Sequence, residues 1–173
     1  MNITIRPETA NDIAAIYTIN EQAFERADEA RLVNAIREGG AFVPGLSLVA
    51  EVDGLPVGHI LFSDIAIVQE HGRLLPSLAL APMAVLPEWQ GKGIGAALVR
   101  EGLERAGAAG HRSVIVLGHS AYYTRFGFEP AAHWGIRAPF EVPSDAFMGI
   151  ALQPGALDDA AGTVHYPREF DEV

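Results

Sequence analysis

The chain has 173 residues and no cysteine, and basic residues are scarce: 12 Lys and Arg stand against 22 Asp and Glu, a formal charge of −10. Without cysteine there is no disulfide framework, no thiol nucleophile and no thiolate metal site, which excludes zinc fingers, iron–sulfur proteins and cysteine hydrolases. No uninterrupted apolar run approaches the roughly 20 residues of a spanning helix. Met1 to Arg6 has neither the basic start nor the apolar stretch of a signal peptide. A cytoplasmic protein with no membrane partner is expected. The acid excess repels a phosphate backbone, so nucleic acid is not an expected partner either. The six histidines form no HxxxH or HExxH pair, and no metal is expected. What the chain does have is apolar residues, 49% of the total, enough at this length for one sizeable core. Residues 1–173 therefore read as a single domain.

The few bases are unevenly spread. Residues 73–137 carry seven bases and four acids, a balance of +3, which leaves −13 for the rest. Around this block the periodicity predicts a sequence of elements. Ile3 and Ile5 alternate with polar neighbours as a short strand that Pro7 stops. Thr9 and Asp12 have capping-box spacing, and Ile13, Ile16, Tyr17, Asn20 and Phe24 then share a helical face. A second helix is expected from about Asp28, with Leu32, Val33 and Ile36 inward and Gly39-Gly40 closing it. Ser47 to Val52, Asp53-Gly54 and Val57 to about Gln69 make a hairpin, and a third antiparallel strand runs from about Leu75 to Val85. A helix over Gly91 to Gly107, a buried strand over Ser113 to Leu117 and a short helix over Ser120 to Arg125 come next. Ala146 to Leu152 reads as a strand, and residues 153–173 as a mostly extended tail with one further strand-like piece at Thr163 to Tyr166.

The run LALAPMAVLPEWQGKGIGAALV, Leu78 to Val99, carries the most chemistry. It reads as a strand, a sharp exit, a glycine-punctuated turn and a helix start, whose first N–H groups have no intrahelical partner and suit an anion. A Walker A loop fails because Lys92 is followed by Gly93 rather than Ser or Thr. A dinucleotide fingerprint fails because GKGIG spaces its glycines as GxGxG after an antiparallel run. Gln90-Gly91-Lys92-Gly93-Ile94-Gly95-Ala96, behind Met83-Ala84-Val85 and Pro87, resembles instead the acetyl-CoA loop of the GNAT superfamily of N-acetyltransferases, Q/R-x-x-G-x-G/A. GHSAYYTRFGFEP, Gly118 to Pro130, resembles that superfamily's second signature, a tyrosine four residues before Gly-Phe, here Tyr123. The C-terminal GTVHYP, Gly162 to Pro167, is similar to the bacterial YhbS-like branch.

The resemblance covers nearly the whole chain. It implies an α/β (α+β) fold with a mixed, mostly antiparallel central sheet flanked by helices and splayed between the fourth and fifth strands. It also implies an acetyl-CoA-dependent N-acetyltransferase whose amine acceptor, a small molecule or a peptide, attacks directly in a ternary complex. Main-chain groups of Met83, Ala84 and Val85 would bind the pantetheine arm, and Gln90, Gly91, Lys92, Gly93, Ile94, Gly95 and Ala96 the pyrophosphate. Ser120 stands where the family often has a cofactor-binding asparagine. Tyr123 matches the family's general acid. The strand glutamate that many members use as a base has no counterpart in Leu78 to Val85, which leaves His119 or a water relay, with His71, Asp64 and Glu129 as lesser candidates. Trp89 could stack on adenine; Trp134, His133 and Phe24 fall in the regions that shape the acceptor site. Lys92, Arg100, Arg125 and Arg137 would add to a positive field, and the acidic remainder would favour a cationic amine. Two other readings stay open: a non-catalytic acyl-CoA sensor, and a serine hydrolase at Gly118-His119-Ser120, which lacks the glycine a nucleophile elbow needs at Tyr122. A homodimer is open as well.

Overall fold

The first expected element is a strand, β1 (Ile3–Pro7), and Asp12 turns the chain out of it. Its carboxylate accepts from the Thr9 amide at 2.6 Å and the Thr9 hydroxyl at 3.1 Å, and two Arg6 nitrogens hold it at 2.7 and 2.9 Å. This capping box opens a 3-10 turn at Ala10–Asp12, and α1 (Ile13–Phe24) follows. The computed structural model describes residues 1–172. Its helices α2 (Asp28–Glu38), α3 (Ile94–Ala108) and α4 (Ser120–Tyr123) and strands β2 (Phe42–Val52), β3 (Leu55–Val68), β4 (Leu74–Val85), β5 (Ser113–Leu117), β6 (Glu129–Pro130), β7 (Ile136–Arg137), β8 (Phe147–Ala151) and β9 (Gly162–His165) match the expected order, with β6 and β7 added. The hydrogen-bonded path is β1-β2-β3-β4-β5-β8-β6, with β9 pairing β3 and β7.

The chain divides into two compact units. One holds residues 1–63, 81–105 and the segment from Arg168; the other holds 64–80 and 106–167. In the first unit β2 pairs antiparallel with β1 and β3, and Asp53 (φ 51) and Gly54 (φ 81) make the tight turn between β2 and β3. Helices α1 and α2 cover this sheet through Ile16, Leu32, Val33 and Ile36 against Val49 and Leu61. The helical face of α1 is rotated from the sequence expectation: Ile16, Ile19 and Asn20 are buried, whereas Ile13 and Phe24 are each 37% exposed. Helix α3 lies on β3, with Gly58 beneath Ile94 and Leu98, and Gly102 over the ring of Phe62.

In the second unit β5 pairs parallel with β4 and antiparallel with β8. The β4–β5 ladder consists of Leu78 with Val114 and Ala79 with Ile115, and ends there, well before β4 does. Pro82 has no N–H to give a neighbouring strand. This is the splay expected after the fourth strand. The last residues are not an extended tail: turns span 153–159, β9 is built into the sheet against β3, and residues 168–172 form a 3-10 turn whose Phe170 packs on the first unit's core. No helix among the described residues is long and apolar enough to cross a membrane.

Candidate active site

In the first unit, Ala84 and Val85 are buried at the end of β4 and Met83 is half-buried, so the strand delivers the chain to a firmly held exit. The next residues turn on hydrogen bonds from the Leu86 amide to Val57 (2.9 Å) and from the Trp89 amide to Leu86 (2.8 Å). Gln90 does not extend outward with its amide free: its Nε2 donates to the Val85 carbonyl at 2.9 Å and staples the loop to the strand. That bond also engages one of the main-chain acceptors that the sequence assigns to the cofactor. Gly91 (φ 75) and Gly93 (φ 83) are left-handed, a conformation costly for any residue with a Cβ, and both face open space. Ile94 is buried and anchors the start of α3. The first helical bond into this turn is from the Ala97 amide to the Gly93 carbonyl at 3.1 Å, so the amides ahead of it have no intrahelical acceptor. Lys92 is exposed beside them.

In the second unit, β5 ends at Leu117 and the chain bends through Gly118 into α4. His119 is the N-cap residue by position, with its carbonyl accepting from the Tyr122 and Tyr123 amides at 3.1 Å each, but its ring caps nothing. It is exposed and lines a cavity of about 410 Å³ together with Leu117, Ser120, Pro143 and Asp145. The Tyr123 ring lies against Gly118: a Cβ there would sit 2.6 Å from its Cε2. Tyr122 and Phe128 pack edge-on against the same ring, at 5.0 and 5.7 Å between centroids. Burial, with a smaller effect from Tyr122, pushes the Tyr123 phenol up to about 12. It therefore stays protonated through the neutral range.

Residues 44–130 match the acetyltransferase (GNAT) domain family. The chain is 41% identical over 153 residues to an uncharacterized N-acetyltransferase of Escherichia coli, YjhQ, covering 85% of this chain and 84% of that one. It is 34% identical over 167 residues to another, YhbS, covering 96% and 98%. The chain belongs to the GNAT superfamily and is an N-acetyltransferase. Among solved GNAT structures, the crystal structure of E. coli YhbS in complex with CoA superposes with a TM-score of 0.90 at 34% identity, covering 99% of this chain and 93% of that one. A GNAT family acetyltransferase from Brucella melitensis in complex with acetyl-CoA gives 0.80 at 36% identity, covering 98% and 99%.

The structure also gives the surroundings of the other residues that the sequence singles out. Glu129 is exposed and its carboxylate lies 3.2 Å from His133 Nδ1. Trp134 packs over Gly149 of β8. Asp64 is exposed on β3, its carboxyl raised by partial burial and opposed by His111. His71, left-handed at φ 65, lines a separate cavity with Arg73. Arg125 lies 4.5 Å over the Tyr122 ring. The residue that sequence reasoning passes over is Asp145. It stands in the proline-rich stretch between β7 and β8, where no periodicity or motif marks it, and only the fold sets it in the same cavity as His119 and Ser120.

Proposed function

We infer that this GNAT enzyme takes acetyl-CoA as acetyl donor along the end of β4 and through the loop Gln90 to Ala96, and passes the acetyl group directly to a primary amine in a ternary complex, in the cytoplasm. One observation carries the reading: two left-handed glycines lead into α3 with the amides ahead of Ala97 lacking intrahelical acceptors, a cradle of donors suited to a pyrophosphate. The open space at the missing Cβ positions of Gly91 and Gly93 fits a ligand lying close to the backbone. The CoA and acetyl-CoA bound by the two neighbours support the same donor here.

Bound there, acetyl-CoA supplies an activated thioester carbonyl; the C–N bond forms at its carbon, the C–S bond breaks, and sulfur leaves with the electron pair. The nitrogen must arrive neutral and lose a further proton as the amide forms. His119 is our choice to accept that proton, directly or through water, with Asp145 across the cavity to hold the charged forms of amine or imidazole. Tyr123, kept protonated by burial, is our choice to donate a hydrogen bond to the departing sulfur. Residues 1–173 act in this proposal as one catalytic domain.

Calorimetric titration with acetyl-CoA tests it. The wild-type chain should bind saturably, and Gly93→Val should bind at least about tenfold more weakly, because a β-branched residue at that φ costs roughly 1–3 kcal/mol. A wild-type chain that does not bind acetyl-CoA would remove the proposal.

A further inference from the structure

Pro143 is a shared wall. It lines the cavity that holds His119, Ser120 and Asp145 and also a larger one of about 650 Å³. Ile136, Phe140, Val142 and Phe147 make much of the larger cavity apolar, and Phe140 stacks on Tyr166 with 6.1 Å between ring centroids. Two charged side chains line it, Arg137 and Glu141. Among the described residues neither forms an ion pair, with each other or with anything else. Arg137 donates to the neutral hydroxyl of Thr163 at 3.3 Å. It also borders a third cavity, whose charged residues Glu70, Arg73 and Asp159 are mixed in sign.

A hollow of this size is within the range that takes drug-sized ligands and is oversized for a simple alkylamine. Its charges discriminate further. One unpaired group of each sign at the edge of an apolar hollow complements a ligand that is apolar in body and neutral in sum. A polycation would be repelled by Arg137, and a polyanion by Glu141. The planar guanidinium of Arg137 matches a carboxylate in a way that a point charge does not.

We propose that the acceptor is a zwitterionic amine with an apolar body, an apolar α-amino acid or short peptide, held by its carboxylate on Arg137 while its side chains fill the hollow walled by Phe140 and Phe147. The proposal rests on the acetyltransferase reading above and gives its acceptor site a chemistry. Glu141 receives the ammonium form, the nitrogen passes that proton to bulk water, and the neutral amine then meets the adjoining cavity, where His119 and Asp145 stand. The acceptor is then not the simple cation that the net charge of the chain suggests.

The test is a steady-state acetylation assay of the wild type and Arg137→Gln, run beside an acetyl-CoA titration of each. Phenylalanine and leucyl-leucine are compared with phenylalaninamide, phenethylamine and spermidine. At least one of the two zwitterions should show a kcat/KM at least tenfold above all three comparison amines in the wild type. Arg137→Gln should lose that preference through KM. Whichever of phenylalanine and leucyl-leucine is turned over better distinguishes a free amino acid from a peptide. The proposal falls if spermidine or phenethylamine is used as well as the zwitterions, if Arg137→Gln keeps the preference, or if neither zwitterion is acetylated by a chain that binds acetyl-CoA. Failure to bind acetyl-CoA would remove the underlying acetyltransferase mechanism instead.

Discussion

A phenol raised to about 12 is a poor proton donor to a thiolate whose conjugate acid titrates near 8.5. Complete transfer from Tyr123 would run uphill by roughly 3–4 pK units, or about 5 kcal/mol, at the moment of collapse. A hydrogen bond to a charged acceptor, by contrast, stabilises it by about 1.5–3 kcal/mol without moving the proton. Tyr123→Phe should therefore lower kcat about 10- to 100-fold while KM for acetyl-CoA stays within about twofold, read by thiol release; an unchanged kcat would take Tyr123 out of the reaction. The position of this ring depends on its neighbour. A Cβ at Gly118 would meet the ring carbons at 2.6 and 3.1 Å, so Gly118→Ala must displace Tyr123. The expected result is a fall in kcat comparable to that of Tyr123→Phe, with the circular dichroism spectrum and acetyl-CoA affinity retained. Tyr123 is legible in the sequence from its spacing to Gly127-Phe128, but the need for glycine at 118 appears only when α4 folds back on the end of β5.

Among the elements, α3 shows which glycines sequence can interpret. Gly91 and Gly93 stand in a recognisable turn, and both take the left-handed conformation that makes glycine the natural choice. Gly102 looks like an ordinary weak point in the middle of a helix. Its reason is packing: a Cβ there would lie 2.2 Å from Phe62 Cε1. Gly102→Ala gains about 1 kcal/mol of helix propensity, but overpacking costs about 1–3 kcal/mol, and the second should win. A urea unfolding curve should show a lower midpoint; a midpoint raised by the full propensity gain would mean that Phe62 has room to move. Helix α1 gives the converse lesson. Three-and-four spacing admits two adjacent faces in Ile13–Phe24, and the choice that buries Ile19 and exposes Ile13 and Phe24 comes from the sheet beneath, which periodicity does not contain.

Across the whole molecule, the acid response of the fold should be set by buried groups outside the glycine loop and the tyrosine signature. His59 is completely buried in β3. Asn20 Nδ2 donates to the Ile16 carbonyl at 3.0 Å and to His59 Nδ1 at 3.3 Å, so Nε2–H donates to Ser47 Oγ at 2.9 Å and the Ser47 hydroxyl donates to Glu8. Arg37 holds the Glu8 carboxylate at 2.7 and 3.0 Å. Burial, and secondarily Arg37, push His59 down to about 3. Because the unfolded imidazole titrates near 6.5, the unfolded chain binds the proton first as pH falls. The stability from keeping His59 neutral is complete above about 6.5 and is lost between there and about 3, at roughly 1.4 kcal/mol per pH unit. Below about pH 4, Asp12 adds to the loss, since its bonds to Arg6 hold its carboxyl well below the usual carboxylate range. Thermal unfolding from pH 7 to 4 should show a steadily falling midpoint in the wild type and a shallower fall in His59→Phe. Equal slopes would mean that His59 is not the group responsible.

By itself, the sequence determined the family, the order of most elements, the glycine-punctuated loop before α3 and the place of Tyr123 ahead of Gly127-Phe128, because each depends on residues close together in the chain whose spacing encodes a local conformation. Gly91, Gly93 and Ile94 of the proposed cofactor loop stand where that spacing puts them. Tertiary structure decided the rest. Asp145 joins His119, Phe140 of the apolar hollow stacks on Tyr166, and Asn20, His59, Ser47 and Glu8 form one buried chain of hydrogen bonds. These groupings unite residues far apart in the chain. No short-range pattern records such meetings; long-range strand pairing and the packing of helices on the sheet create them.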